Sequence, residues 1–502
     1  MALPEDCATC FHRLIISGMN RLTVLLTIPF LLCMVISITG CKTSEKKLGP
    51  VTFRESPRKL ESGIAEIDIT PHKGFRMAGY FDERFSTGTH DPLKAKAIVF
   101  RQGKELAALV FCDLVGVPLK ATSEARAKAS AKTGIPVSNI TIFATHSHTG
   151  PLFSNVQRNY YHKTAVEKFG HDPHEQYDYA EFLVGKLVKA IEEAKAKLTW
   201  TDVAVGIGKQ QDFPFNRRHH MKNGRVAFNP GQQNPNVVKP AGPVDHDVGI
   251  LLVGDTEKQE LVGGVTVFAM HADTVGGTEF SADYPYFIEQ SLRNRFGKKY
   301  ISAFGAGTCG DLNQIDVSKI EPVKGFNVAE KIGTSIAKTV TSSLTNLTRI
   351  SRPSLRVLSA KLDIPLQEVP AEKLKWAQSR ASLMGDTNTD FFQKVDIVKF
   401  LDLSERGATC PMEIQVYRLD SETAIVCLPC EIFVELGLSI KAQSPFKRTL
   451  VISIANDRPS YVPTEKAFKE GSYEITNARV KPGAGEMLVD GAVKLLKEAT
   501  IQ

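Results

Sequence analysis

From residue 62 onward, short apolar runs alternate with stretches whose apolar residues recur at spacings of three and four. Runs rich in β-branched residues are typical of buried strands, and the spacing of three and four is typical of an amphipathic helix. The longest such stretch predicts a helix over 176–198. Strands are predicted at 97–100, 106–117, 139–145, 203–207, 248–253, 262–270, 300–304, 423–428 and 449–454, and further helices at 121–132, 286–296, 326–342 and 431–442. This alternation predicts an α/β fold.

The stretch 209–247 departs from this rhythm because Gln, Asn, Pro, Gly and His dominate it. It contains the polar run Asn216-Arg217-Arg218-His219-His220. We expect an insertion without regular structure here. Long loops inside a domain are often functional. Loops also tolerate insertion readily, so a variable surface excursion is an equal alternative.

The amino-terminal segment has the pattern of a secretion signal. Seventeen uncharged residues, 22–38, follow Arg21. That length suits the apolar region of a signal peptide and is short for a membrane span. The segment ends Ile38-Thr39-Gly40-Cys41, which resembles a bacterial lipobox whose cysteine takes the lipid. We therefore expect a lipoprotein-type signal peptide at 1–40 (or from Met19), a lipidated Cys41, a tether at 41–61 and one catalytic domain at 62–502.

This pattern predicts an exported protein that is lipid-anchored to the bacterial cell membrane or to the periplasmic side of the envelope. The membrane, reached through Cys41, is then one partner. An uncut signal anchor is the alternative, since seventeen apolar residues can just span a bilayer when they are flanked well.

Composition narrows the function classes. Hydrophobic residues make up 42% and charged residues 23% of the chain, which is ordinary for a folded soluble protein. The net charge of +7 is spread along the chain without a Lys/Arg block, so we expect no nucleic-acid partner. The cysteines beyond Cys41 are scattered and odd in number, unlike a disulfide framework. Cys427 and Cys430 have redox spacing but follow an apolar run, so we interpret them as buried thiols.

Four predicted strands end in residues that can bind a metal or move a proton. They lead into His146 and His148, into His271 with Asp273 and Asp283, into Glu431, and into Asn456-Asp457 with Tyr461. In α/β sheets, ligands sit outside the carboxyl ends of strands. Side chains alternate along a strand, so His146 and His148 are predicted to share one side. Imidazoles with a carboxylate are the composition of catalytic zinc sites, although a single such residue is more often structural.

The glycine-rich run 305–311 is a weaker candidate. It could cradle a phosphate, but it lacks the Lys-Ser/Thr ending of a phosphate-binding loop and the glycine pattern of a dinucleotide fold. We interpret it as a tight turn at the rim of an active site.

An ordered series of motifs is more specific than any one of them. The series comprises 63–70, Met77-Ala-Gly-Tyr80, 145–151 (Thr-His-Ser-His-Thr-Gly-Pro), Asn216-Arg217, His271 with Ser281-Ala-Asp283, Leu428-Pro-Cys-Glu431, Ser460-Tyr461-Val462 and Tyr473. With these motifs, residues 62–480 resemble the N-terminal catalytic domain of the neutral/alkaline, non-lysosomal ceramidases. The resemblance implies mixed sheets with flanking helices.

The resemblance also implies the roles of the site residues. Zinc is expected on His146, His271, Glu431 and Tyr461, and His148, Arg217, Asp283 and Tyr473 are expected to line the substrate amide. Zinc polarises a carbonyl and activates water near neutral pH. Arg217 and Tyr473 would stabilise the oxyanion, and His148 or Asp283 would carry the proton to the leaving amine.

The chain departs from the family in two places. Asn313 stands where the family has its catalytic serine, and we expect no C-terminal immunoglobulin-like domain. Both departures leave the substrate open between ceramide and another N-acyl compound, a small molecule or a lipid; protein partners stay open too. The leading hypothesis is a zinc-dependent amide hydrolase that uses zinc-activated water. The alternatives are a lipid-anchored ligand-binding pseudoenzyme of the same fold and a metal-dependent hydrolase of esters or phosphates.

Overall fold

The computed structural model describes residues 60–501. The predicted signal peptide, the lipidation site Cys41 and most of the tether lie outside the described residues, and the first strand already begins at Leu60. Within the described part of the chain, no helix has the length and apolar character needed to cross a membrane.

The larger of the two main sheets, called the large sheet here, has nine strands. In spatial order they are Ile301–Ala306, Glu260–Phe268, Asp247–Asp255, Thr199–Lys209, Leu60–Asp68, Lys94–Gln102, Glu105–Cys112 and Ile140–Ala144, with Thr348–Arg349 paired to Thr199–Lys209 as the ninth. The outermost pair at each end of this order is parallel and the other pairs are antiparallel.

The second sheet, the small sheet, has four strands. In order they are Arg356–Pro365, Thr409–Arg418, Thr423–Cys427 and Arg448–Ile452. Only the last pair is parallel. Both sheets are therefore mixed, and the predicted α/β class with flanking helices is confirmed.

The two sheets pack face to face. Strand Glu105–Cys112 shows how the sequence allows this: Leu109 and Phe111 point into a core shared with Ile425 and Ile452 of the small sheet. The alternate residues of the same strand, such as Val110, belong to a separate core on the other face. A strand buried on both faces reads as a continuous apolar run, which is why this strand was visible in the sequence.

Helices cover the two outer faces. The large sheet packs against Leu119–Thr133, Tyr179–Ala196, Tyr284–Phe296 and Phe326–Ser342, and the small sheet packs against Val434–Gln443 and Ala484–Thr500. The remaining helices are Val156–Phe169, Ala371–Gln378, Phe391–Ser404, Glu465–Glu470 and Tyr473–Thr476, with 3-10 turns at Val137–Asn139, Leu344–Asn346 and Ala381–Leu383. The layers thus run helix, sheet, sheet, helix.

The sheets also meet at their carboxyl ends, where the site lies. Asn456 donates from its backbone to the carbonyl of Ile142, and Ala144 donates to the carbonyl of Ile454. These bonds bring the loop after the strand Ile140–Ala144 next to the loop after Arg448–Ile452. Short paired strands complete this end: Arg76–Met77 with Arg84–Phe85, Gly88–Thr89 with Glu279–Phe280, Phe215–Asn216 with Leu312–Asn313, and Glu431–Ile432 with Tyr461–Val462.

Three predicted elements differ from the structure. The strand predicted over 106–117 stops at Cys112, because the chain turns there to form a wall of the pocket described below. The helix predicted over 431–442 starts at Val434, since Glu431–Ile432 pairs as a strand. The stretch 209–247 is not without regular structure. Its strands Arg218–Met221, Val226–Phe228 and Val237–Pro240 form a small sheet of their own.

Candidate metal centre

His146 is the first residue of the centre along the chain. It lies beyond the end of the strand Ile140–Ala144 in a left-handed conformation, with φ of 68°. The prediction that His146 and His148 share a side is therefore correct in outcome but not in reason, because neither residue lies on the strand. The loop that carries them pairs with the loop of His271 through a bridge between Ser147 and Ala272.

Backbone carbonyls fix the ring orientation of two histidines. His146 Nδ1 lies 2.8 Å from the carbonyl oxygen of Val115, and His271 Nδ1 lies 2.8 Å from that of Cys309. A carbonyl oxygen only accepts, so each Nδ1 carries the hydrogen and each Nε2 presents a lone pair. This tautomer is the one that a metal-ligating imidazole uses.

The lone pairs converge on one point. Glu431 Oε2 lies 3.2 Å from His146 Nε2 and 3.3 Å from His271 Nε2. Glu431 Oε2 and His271 Nε2 are both buried, and neither has a hydrogen-bond partner among the described residues. Unpaired buried acceptors facing each other are costly, and a cation between them removes that cost. The residues therefore fit a metal ion, and we call His146, His148, His271 and Glu431 the metal centre.

His148 completes the set. Its Nε2 lies 3.4 Å from His146 Nε2, and each of the three histidines offers a ring nitrogen within 4.8 Å of the others. Its Nδ1 lies 4.0 Å from Asp273 Oδ1. The sequence placed His148 beside the metal ligands, and the structure brings it within reach of them.

Burial sets the protonation of the centre. It lowers the pKa of His271 to about 3, with further lowering from Arg217 and His146. Burial, then His146, likewise holds the pKa of His148 well below its usual value. For Glu431, burial alone would raise the pKa, but the positive charge of His146 in its protonated form, together with Arg458, outweighs burial and lowers the pKa. Neutral imidazoles and an anionic carboxylate are the forms that bind metals.

Tyr461, Tyr473 and Arg217 form a layer next to the centre. The Tyr461 ring stacks 6.3 Å from the ring of His271, and the Tyr473 ring packs edge-on 5.6 Å from Tyr461. Arg217 is buried, with its guanidinium 5.5 Å and 5.9 Å from these two tyrosine rings. It donates to Glu474 Oε1 and to the carbonyl of Gly310, each at 2.8 Å.

Asp283 lies outside this group, contrary to its expected place beside the amide. Its carboxylate accepts four hydrogen bonds, from the backbone and hydroxyl of Thr274 and from the backbone of Val275 and Tyr284. Burial raises its pKa to about 6 despite these bonds. With its oxygens engaged in this way, Asp283 shapes the loop after His271 and the start of the helix Tyr284–Phe296.

Asn313 is also turned away. Its Nδ2 donates to Asn229 Oδ1 at 2.9 Å, and its Oδ1 accepts from the backbone of Ile315 at 3.0 Å. The side chain thus closes the turn after the short strand Leu312–Asn313 and ties it to the 209–247 segment. Of the nine predicted site residues inside the described range, the structure gathers all but Asp283 and Asn313 around one point.

Sequence reasoning missed Arg458. Its Nη1 donates to Glu431 Oε1 at 2.8 Å, so it holds the oxygen of Glu431 that does not face the histidines. A single arginine in a loop carries no periodic or spacing signal. The signal that could have found it is its position after a predicted strand, which it shares with the adjacent Asn456-Asp457.

A second cluster with metal-ligand residue types lies elsewhere, and we call it the arginine-bridged cluster. His162 Nδ1 lies 3.0 Å from Asp172 Oδ2 and 3.3 Å from Glu175 Oε2. Arg76 Nη1 binds Asp172 at 2.5 Å, and Arg158 Nε binds Glu175 at 3.1 Å. The carboxylates here already have cationic partners.

A pocket of about 230 Å³ opens at the metal centre. His146, His148, Glu431, Tyr461 and Tyr473 line it. A substrate in this pocket would therefore meet the converging lone pairs directly.

Comparison with known proteins identifies the family. The sequence profile described as neutral/alkaline non-lysosomal ceramidase, N-terminal, matches residues 61–314. The chain belongs to this ceramidase family. The resemblance seen in the sequence is confirmed, and family membership supports a ceramidase-like, metal-dependent hydrolase. The matched range includes His146, His148 and His271 but ends before Glu431, so Glu431 enters the site on geometry.

Solved ceramidase structures share the fold. The crystal structure of neutral ceramidase from Pseudomonas aeruginosa superposes with a TM-score of 0.65 at 19% identity, covering 89% of this chain and 76% of that one. A ceramidase complexed with C2 gives 0.64 at 17% identity, covering 88% and 76%. No curated protein sequence matches the chain.

Proposed function

We propose that this ceramidase-family chain is a zinc-dependent hydrolase that cuts the amide bond of an N-acyl substrate. One observation carries the proposal: the unpartnered Glu431 Oε2 lies within 3.3 Å of two histidine nitrogens in a buried site. His146, His271 and Glu431 would hold the metal, with His148 and Tyr461 beside them. When bound, zinc supplies a Lewis acid for the amide carbonyl and activates water near neutral pH.

The proton transfers fall to His148. Burial keeps its imidazole neutral, so it can accept a proton from the attacking water and pass it to the leaving amine. Asp273 Oδ1, 4.0 Å from His148 Nδ1, favours the protonated ring during that transfer. Asp283 has no free oxygen lone pair directed at the pocket, and we assign it no proton.

Arg217 and the tyrosines stabilise the negative charge that develops on the carbonyl oxygen. Tyr473 lines the pocket and can donate from its hydroxyl. Arg217 acts through the two tyrosine rings that its guanidinium faces, and its bonds to Glu474 and Gly310 keep it fixed. It is a positioning residue in this scheme.

The nucleophile is water. Asn313 has no hydroxyl, and an amide is not a nucleophile at neutral pH. The hydrogen bonds of Asn313 to Asn229 and Ile315 give it a structural task instead. No acyl-enzyme is therefore expected in the reaction.

The proposal is tested on the purified protein by elemental analysis and by turnover of a fluorescent panel. The panel contains N-acyl amides, acyl esters and phosphate esters of matched size. We expect one zinc per chain and amide turnover that a chelator removes and added zinc restores. Preferred turnover of the esters or phosphates would instead support the alternative hydrolase, and ligand binding without any turnover would support the pseudoenzyme.

We further propose that the chain is exported and anchored by a lipid on Cys41. The support is the uncharged run 22–38 ending in Gly40-Cys41. In detergent phase partitioning, Cys41→Ala should move the protein into the aqueous phase, because the lipid chains supply the membrane affinity. Cys33→Ala, within the same run, is the matched control and should partition as the parent does. Equal membrane retention of both variants would replace the lipid anchor with an uncut signal anchor.

A further inference from the structure

The pocket at the metal centre has an unusual wall. Arg406, Arg458 and Arg479 all line it, and we call these three residues the arginine wall. They come from three separate segments: the end of the helix Phe391–Ser404, the loop after Arg448–Ile452 and the segment after Tyr473–Thr476. The fold therefore brings three guanidinium groups to one cavity next to the proposed site of amide cleavage.

Arg458 is the member nearest the metal centre. Its Nη1 is bound to Glu431 Oε1, and no acceptor for its Nε or Nη2 is found among residues 60–501. Its side chain keeps 28% of its surface exposed. Gly116 makes room for it, since a Cβ at that position would lie 2.6 Å from Arg458 Nε. The chain thus leaves donors of Arg458 open to the cavity.

The other two arginines share one carboxylate. Arg406 binds both oxygens of Asp402, through Nε and Nη2 at 3.1 Å each. Arg479 Nε donates to one of these oxygens at 3.0 Å, and its Nη1 donates to Asn477. Asp457, also in the lining, accepts from the backbone of Leu119 and Arg458. The charged lining consists of three guanidiniums, these two aspartates and Glu431. These charges sum to zero, so the open donors of Arg458, and not a net charge, are what an anion would meet here.

Two helices begin at the same cavity. Pro118 precedes Leu119–Thr133 and Asn155 precedes Val156–Phe169, and both preceding residues line the pocket. Helix N-termini carry partial positive charge, which favours anions, although the Leu119 N–H is bound to Asp457 and the Arg158 N–H to the Asn155 side chain. The partial charges of these two helix N-termini thus favour an anion in the cavity, as the arginine wall does. The two helices lie in a different part of the chain from the three arginines.

The size of the cavity limits what enters. A volume of about 230 Å³ lies below the usual range of roughly 300–1,000 Å³ for pockets that enclose drug-sized ligands. A compact head group fits inside, and a long acyl chain has to extend out of it. The group that meets the arginines therefore lies within a few bonds of the amide.

We propose that the arginine wall binds an anionic group of the substrate, so that the preferred substrates are N-acyl compounds with a carboxylate or phosphate close to the amide. The substrate preference rests on the proposed amide hydrolysis, but anion binding can be measured without any hydrolysis. Arginine is suited to the task because its planar fork binds carboxylate and phosphate with two hydrogen bonds.

The kinetic test compares three substrates of one acyl length: N-octanoylglycine, N-octanoylethanolamine and N-octanoylethanolamine phosphate. The neutral member isolates the charge, and the two acids separate carboxylate from phosphate. We expect kcat/KM to be at least about tenfold higher for one or both acids, since a hydrogen bond to a charged group contributes about 10–100-fold. Arg406→Gln should remove most of that preference, so the ratio of kcat/KM between the acidic and the neutral substrates should fall toward one.

Two further variants control for folding and for general charge. Arg406→Lys keeps the charge and should retain part of the preference that Arg406→Gln loses. Arg101→Gln removes an arginine paired with Glu61 and 41% exposed, outside the pocket lining, and should leave all three substrates unaffected. Equal loss for neutral and acidic substrates in Arg406→Gln would overturn the proposal.

Calorimetric binding to chelator-treated protein separates this inference from the proposed function. N-octanoylglycine or the phosphate should bind at least about tenfold more tightly than N-octanoylethanolamine, and Arg406→Gln should abolish the difference. Such binding, together with no turnover of any amide by the zinc-loaded protein, would sustain the anion site and refute the hydrolase. Turnover of neutral amides with no preference for the acids in rate or binding would sustain the hydrolase and refute the anion site.

Discussion

The metal centre and the arginine-bridged cluster contain the same kinds of residue but differ in what neutralises them. In each, three ligand atoms lie within 4.8 Å of one another. In the metal centre the carboxylate oxygen faces two imidazole lone pairs, and backbone carbonyls hold the far side of both rings. In the arginine-bridged cluster, Arg76 and Arg158 already supply the positive charge.

Residue type and proximity therefore do not identify a metal site. What distinguishes one is a set of buried acceptors left without a cation. A buried carboxylate needs a partner. Where an arginine is the partner, the cluster stabilises the fold; where no cation is present, the cluster can bind a metal ion.

Removing a lone pair from the metal centre should give the largest effect. His271→Ala deletes one converging nitrogen, so zinc content should fall well below one per chain. Activity should drop by more than about 100-fold, the upper limit for losing only an outer partner of a metal ligand. Elemental analysis and turnover on the same sample measure both quantities.

His162→Ala in the arginine-bridged cluster is the matched control. Its side chain is 37% exposed and its carboxylate partners keep their arginines, so zinc and activity should stay at the parent level. Full zinc in His271→Ala, or lost zinc in His162→Ala, would reverse the assignment of the two clusters.

Removing a cation from the arginine-bridged cluster should instead reduce stability. Arg76→Ala leaves Asp172 and Glu175, whose side chains are 1% and 5% exposed, without their buried guanidinium. Breaking a buried pair in this way costs about 3–5 kcal/mol of unfolding free energy. Denaturant unfolding measures the loss, and the zinc content of the folded protein should not change.

A surface pair provides the reference for that experiment. Arg101 is 41% exposed and bound to Glu61, so Arg101→Ala should cost no more than about 1 kcal/mol. If Arg76→Ala were as mild as Arg101→Ala, the arginines would not be the partners that fill the second cluster.

Lys399 tests the same rule for a buried charge that has no carboxylate ion pair in the described range. Burial, followed by repulsion from Arg479, lowers its pKa to about 8. The unfolded lysine titrates near 10.4, so the folded state carries the cost of the buried charge in full below pH 8. Lys399→Met should therefore be more stable than the parent at pH 7, by about 3 kcal/mol.

The stability difference between the parent and Lys399→Met should depend on pH. Between pH 8 and about 10.4 the unfolded chain binds the proton more tightly, so the stability of the parent rises with pH relative to the variant. The difference between the two melting curves should shrink across that range. A constant difference from pH 7 to 10 would show that Lys399 is not buried with a lowered pKa.

Asn313 should give the smallest effect. Its amide ties the turn at Ile315 to Asn229, so Asn313→Ala should cost about 1 kcal/mol of stability. Loss of an oxyanion donor would instead lower kcat by about 10²–10³, and we expect far less than that. Mass spectrometry under turnover should find no acyl-enzyme; a trapped one would point to Thr308 or Cys309 on the same loop.

The sequence predicted the strands that are buried on both faces. Strand Asp247–Asp255 is an uninterrupted apolar run because helices cover one side and the small sheet the other. The strands Arg356–Pro365 and Thr409–Arg418 were missed. The first is half exposed, which leaves a weak apolar signal. The second alternates cleanly through Cys410, Met412 and Ile414, a pattern that was present and overlooked.

The metal centre was predictable because its members follow strand ends, a position that sequence reveals. The arginine wall was not, since Arg406, Arg458 and Arg479 lie on segments that meet only when the small sheet folds. The expectation that Asp283 lines the substrate amide differs from the structure for another reason. Asp283 follows His271 in the sequence as the motif requires, but only the structure shows that Thr274, Val275 and Tyr284 occupy its oxygens.

The metal centre draws its side chains from both sheets, from His146 and His271 after strands of the large sheet and from Glu431 after a strand of the small one. A divalent ion there would link the large sheet to the small sheet. Ligand binding to the native state alone adds free energy that grows with the logarithm of ligand concentration. If the protein is exported as proposed, its lifetime among proteases would then depend on the metal concentration outside the cell. Metal depletion would speed its degradation before it slowed its catalysis.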